Sequence, residues 1–166
     1  MALAQDFLDE LKEEAAITRL FLERVPFDKS SFKPHEKSEE LGRLAIHVAE
    51  IIAWWTSCVQ EEELDFIDFE PKAITTNSEL LAYYDELLLE AENALSIATD
   101  AVFEKTWSMR HGEMVYFTLP KKKVMRTFCM NHLVHHRAQL GVYLRILGIA
   151  IPGAYGPSAD EDYAFS

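Results

Sequence analysis

Cysteine is scarce. Cys58 and Cys129 are the two in the chain, and neither belongs to a CxxC pair. A disulfide framework is not indicated, and a reducing compartment is expected. Long apolar runs are missing too, and none approaches the roughly 18 residues that span a bilayer. Basic residues are outnumbered, with 16 Lys and Arg against 28 Asp and Glu, for a net charge of −12. Such a surface repels phosphate backbones and anionic lipid, so neither nucleic acid nor a membrane is an expected partner. Glycine and proline number six each, with no low-complexity tract and no repeat. The opening MALAQDFLDELKEEAA lacks a basic segment ahead of an apolar one, so no signal peptide is expected. Together these absences point to a cytoplasmic protein.

What is present is ordinary globular material. Apolar residues make up 49% of 166 residues, enough for one domain over 1–166 with a full core. Folding alone does not require a metal.

Four helices are expected from apolar period. The first covers about Ala2 to Arg24, with Leu3, Phe7, Leu11, Ala15, Thr18 and Leu22 on one face, and Pro26 ends it. The second follows Ser38 as N-cap and runs to about Glu61, with Leu41, Leu44, Val48, Ile51, Trp55 and Cys58 on its apolar face. The third begins at Thr76, which has capping-box spacing to Glu79, and continues towards Ala98. The fourth opens at Pro120 and runs to about Leu147, where Gly148 and Pro152 stop it. Lys121, Lys122 and Lys123 crowd its first turn, against the helix dipole. Between the third and fourth helices, Trp107 to Pro120 reads as a short hairpin or irregular loop around His111-Gly112. The fold class expected is all-α, a four-helix bundle.

Of six histidines, three fall in NHLVHHRAQL. With about 100° per residue, His136 lies about 40° from His132 and His135 about −60°. The stripe of Met125, Phe128, Cys129, Tyr143 and Leu147 is centred near +40°, so His132 and His136 point inward and His135 does not. An i, i+4 pair sets two imidazoles side by side, the spacing that metalloprotease helices use for zinc. His47, on the apolar face of the second helix, supplies a third. Three neutral imidazoles suit zinc, nickel, copper or iron(II) and leave coordination positions open.

Other residues have two readings each. Cys129 is a small core residue or a fourth ligand. His111 is a solvated loop residue or part of a loop folded over the site. Glu50 faces water or orients an imidazole. Tyr143 packs in the core or lines the pocket as a proton donor. Arg137 and Gln139 are expected in helix–helix contacts, and Trp54 and Trp55 in the core. A bundle without metal, its histidines simply buried, is the plain alternative.

Three stretches carry a family likeness: LGRLAIHVAEIIAWW (Leu41 to Trp55), NHLVHHRAQLGVYLRILGI (Asn131 to Ile149) and IPGAYGPSADED (Ile151 to Asp162). Weaker likeness extends through FKPHEKS and Trp107. The chain resembles the DinB-like superfamily of bacterial proteins, whose H-x-x-x-H-R-x-Q pattern is matched by His132, His136, Arg137 and Gln139. The resemblance implies a bundle with non-sequential, up-down-down-up connectivity. It also implies a metal site of His47, His132 and His136, and commonly a homodimer. It further implies an enzyme acting on a small-molecule substrate: a thiol S-transferase using a low-molecular-weight thiol, or a hydrolase. The implied cofactor is one divalent transition metal (Zn, Ni or Fe). A non-enzymatic metal-binding or stress-response bundle is the alternative.

Overall fold

The computed structural model describes residues 2–161. Asp162, the end of the IPGAYGPSADED stretch, lies outside the described residues. Helix α1 covers Ala2–Leu22, α2 Leu41–Gln60 and α3 Asn77–Ile97. The last rod is made of α4 (Lys121–Val124), a π-helical segment (Met125–Asn131) and α5 (His132–Ile146). Helical dihedrals at both junctions make it continuous. Helix α3 packs on both α1 and α2, and α5 packs on α2 and α1. Helices α1 and α2, consecutive in the chain, therefore sit across a diagonal. Between them Trp55, Tyr84, Phe7, Leu11 and Ile51 form the fully buried core.

The class is not all-α. Three strands form a mixed sheet in the order β1 (Glu63–Asp65), β2 (Thr106–His111), β3 (Met114–Pro120). The 107–120 stretch is the antiparallel β2–β3 hairpin, with a register shift between Met109 and Arg110. The addition is β1, which pairs with β2 in parallel, Glu63 opposite Ser108 and Asp65 opposite Arg110. Three residues show no alternation, so hydrophobic period has nothing to detect. Local polar bonds hold β1 instead. Asp65 accepts from Gly112 N at 2.9 Å and meets Arg110 Nε at 3.1 Å. Gly112 turns the hairpin at φ +56°, a conformation open to glycine. On the inner face Trp107 is buried, and Phe117 stacks on Phe128 of the π segment at 4.3 Å. The sheet thus braces the rod immediately before His132.

Two terminal features differ from expectation. Ser38 does not cap α2; Glu40 is the N-cap residue and makes no side-chain cap. Loop carbonyls take over, with Leu41 N donating to Phe32 O and Gly42 N to Ser30 O. Pro120 is the N-cap residue of α4 rather than its first residue. The lysines that follow have tertiary uses. Lys121 is buried, and its Nζ donates to Val59 O and Glu61 O, satisfying carbonyls at the end of α2. Lys122 pairs with Glu104. At α3 the capping box of Thr76 and Glu79 is formed. No helix among the described residues is long and apolar enough to cross a membrane.

Candidate metal centre

The structure brings His47, His132 and His136 together. Each offers a ring nitrogen, and the three nitrogens lie within 4.8 Å of one another. His47 Nε2 is 3.2 Å from His132 Nε2. Ring centroids are 4.7 Å apart for His47 and His136, and 4.5 Å for His132 and His136. His35, His111 and His135 are exposed and stand outside the cluster. So does Cys129, buried in the core.

Two nitrogens on a tetrahedral ion with bonds of about 2.0–2.1 Å sit about 3.3–3.4 Å apart. The 3.2 Å pair is close to that spacing. The donor chemistry fits as well. Burial, and then the neighbouring imidazoles, push His132 down from 6.5 to about 4. Burial, and then His47, do the same to His136. Both rings are therefore neutral at pH 7 and able to act as ligands. The three-histidine group could hold a metal ion.

The phase of the last rod differs from the regular-helix expectation. The buried line of α5 is Leu133, Arg137, Leu140 and Leu144, while His132 and His136 lie half-buried on its flank. A π turn holds more residues than an α turn. The phase of Met125 and Cys129 therefore does not carry past Asn131. The true stripe also contains an arginine, which an apolar pattern omits. Arg137 joins α1 as expected of a helix–helix contact, bonding Thr18 Oγ1 at 3.0 Å and pairing with Glu14 at 2.8 Å.

A model of the DinB family matches residues 1–163. The chain belongs to the DinB family. The uncharacterized protein YrdA of Bacillus subtilis is 25% identical over 156 residues, covering 93% of this chain and 89% of that one. Among solved structures, a DinB-like protein (YjoA) from Bacillus subtilis superposes with a TM-score of 0.71 at 16% identity. That match covers 92% of this chain and 99% of the other. A DinB-like protein from Bacillus cereus ATCC 10987 gives 0.68 at 23% identity, covering 91% and 97%. At these identities the structural likeness speaks for the fold.

Around the DinB histidines lies a set of supporting groups, two of them placed otherwise by the sequence. Gln139 bonds within its own helix, its Oε1 accepting from His136 Nδ1 at 2.8 Å. That bond leaves the His136 Nε2 lone pair free. Glu50 does not face water. It is buried and paired with Arg43 Nη2 at 2.7 Å, and it stands 3.7 Å from His47 Nδ1, beyond hydrogen-bond distance. Trp55 is core, but Trp54 is half-buried and meets His47 and His132 edge-on at 5.9 and 5.0 Å. A signal for this was present. Arg43, His47, Glu50 and Trp54 fall at i, i+4, i+7 and i+11, one face of a helix. Tyr143 is buried and also lines a cleft, its hydroxyl donating to Glu39 O at 3.1 Å.

Two cavities border this face, with Arg43 and His47 in the lining of both. A cleft of about 500 Å³ contains Lys37, Ser38, Glu39, Arg43, His47, His136, Gln139 and Tyr143. A pocket of about 260 Å³ contains Arg43, His47, Glu50, Trp54, Phe66, Phe69 and Met109. A larger groove of about 630 Å³ runs between α5 and the tail, but it holds no imidazole. Chemistry rather than size places the site.

Proposed function

We propose that this protein is a metal-dependent enzyme acting on a small molecule, with His47, His132 and His136 holding one divalent ion of zinc, nickel or iron. The observation that carries the reading is three imidazoles with ring nitrogens within 4.8 Å, two of which, His47 and His136, line a cleft. Bound there, the ion supplies Lewis acidity, lowering the pKa of a thiol or water that reaches its open side. The chain's own groups do the rest. Gln139 holds His136 in orientation through the bond to Nδ1, and the Arg43–Glu50 pair stands behind His47. Trp54 walls off His47 and His132 edge-on. In the S-transferase form, a low-molecular-weight thiol gives its proton to solvent, its sulfur bonds to an electrophilic carbon, and the leaving group departs from that carbon with the bonding pair. In the hydrolase form, water takes the thiol's place at an acyl carbon.

The adjoining cavities favour catalysis over a closed, non-enzymatic metal store. The experiment is a paired one. Metal content of untagged protein is measured beside monochlorobimane conjugation with several bacterial thiols and beside esterase turnover. One equivalent of metal with turnover lost in His47→Ala is expected. Metal occupancy without turnover above that variant assigns the protein to metal binding alone. Absence of metal, with no change on His132→Ala, leaves a plain helical domain.

A further inference from the structure

The two cavities differ in chemistry, yet Arg43 and His47 line both. His47 thus borders both of them. The smaller is walled by Trp54, Phe66, Phe69 and Met109. Trp54 and Phe69 each stand edge-on to Phe66, at 6.1 and 5.6 Å. It has room for a phenyl ring or a branched alkyl group. The larger is polar and holds two cations in a chain of net charge −12. Lys37 is exposed, and its ammonium has no ion-pair partner among the described residues. Arg43 gives Nη2 to the Glu50 carboxylate, which offsets its charge, and its Nη1 is buried with no hydrogen-bond partner among the described residues. The acid in the cleft, Glu39, turns its Oε1 onto Glu40 N at the start of α2. The cleft thus offers the unpaired Lys37 ammonium and the unfilled Arg43 Nη1, and the aromatic pocket shares His47 with it.

We infer that the substrate is a small organic acid with an apolar group, its carboxylate beside Lys37 and Arg43 and its apolar group between Trp54, Phe66 and Phe69. The reacting atom then lies between the two ends, over His47. This deepens the reading of the three imidazoles as the reacting centre and rests on it. Both cavities fall near the size range of small-molecule pockets. Neither recognition element needs an ion.

The test uses the metal-free full chain and three probes: 3-phenylpropanoate, 3-phenylpropanamide and acetate. Binding is read by calorimetry and by fluorescence of the tryptophans. The phenyl acid is expected to bind tightest. Lys37→Gln should lower its affinity about three- to fivefold and leave the amide unchanged, as for loss of one exposed charge. Phe69→Ala should lower it about tenfold and leave acetate unchanged, as for loss of apolar contact. Equal binding of acid and amide overturns the inference, as does an acid preference that survives Lys37→Gln. Failure of the phenyl acid to saturate the protein overturns it too. Zinc uptake by the same samples is measured separately. Zinc bound without probe selectivity defeats this inference alone, and selectivity without zinc defeats the metal reading.

Discussion

His47 on α2 and His132 on α5 are 85 residues apart in sequence, and their Nε2 atoms are 3.2 Å apart in space. That spacing suits an N–H···N hydrogen bond between the rings or, with both lone pairs turned inward, one ion held by both. One equivalent of zinc or cobalt should bind, and it should stabilise the fold. At a free-ion concentration of about 1,000 times Kd the gain is about 4 kcal/mol. For a chain of this size that corresponds to a rise in melting temperature of roughly 8–16 °C. His47→Ala and His132→Ala should abolish the rise, and His135→Ala should keep it. A rise that persists in His132→Ala would place the ion elsewhere.

Gln139 holds His136 through a 2.8 Å bond to Nδ1. Partners of this kind typically carry a 10- to 100-fold effect on metal affinity. Gln139→Leu should weaken zinc binding by about that factor, measured by competition with a chromogenic chelator. Gln139 is exposed, so unfolding of the metal-free protein should be almost unchanged. Equal affinity in the variant and its parent would remove Gln139 from the site.

The legible part of this molecule was the part with a period. Stripes such as Leu80, Tyr84, Leu87, Ala91 and the Thr76–Glu79 box located helices within a few residues. The i, i+4 spacing of His132 and His136 picks out two members of the three-histidine cluster. What escaped has no periodic trace. Strand β1 is three residues fixed by Asp65 and its partners across the chain. The π segment MRTFCMN looks like any α-helical sequence, so its effect on phase was invisible. Glu50 was ambiguous for a different reason. Its burial depends on Arg43, seven residues earlier, and a charge pair cannot be read as buried from spacing alone.

Protons compete with the fold at the same place. His132 and His136 are each held at about 4 in the folded chain, against 6.5 in an unfolded one. Between those values the unfolded chain takes up protons that the folded chain refuses. Stability present above pH 6.5 is therefore lost as pH falls towards 4. Urea midpoints of metal-free protein should decline across that window. A His132→Asn, His136→Asn double variant should decline less. Parallel curves for the two proteins would contradict the neutral assignment. At pH 7 the two rings should also release almost no protons on taking up zinc, which calorimetry in buffers of different ionisation enthalpy can measure.

Arg137 stands next to His136 but serves a different face of α5, the one packed on α1. Its side chain is 2% exposed and that of Glu14 is 14% exposed. Nη1 reaches Glu14 O and Thr18 Oγ1, and Nη2 reaches the Tyr155 hydroxyl at 2.7 Å. That hydroxyl donates in turn to Glu14. The network ties α1, α5 and the tail together. Arg137→Ala leaves the Glu14 carboxylate with little solvent and no cation, a loss of about 3–5 kcal/mol. Arg137→Met with Glu14→Leu removes both charges, and replacing such a pair by apolar residues is often neutral or stabilising. Urea unfolding of the two variants separates a charge requirement from a packing one. If the double variant is as unstable as Arg137→Ala, the shape of this contact matters more than its charge. If it recovers, the arginine is held there by the unpaired glutamate it would otherwise leave behind.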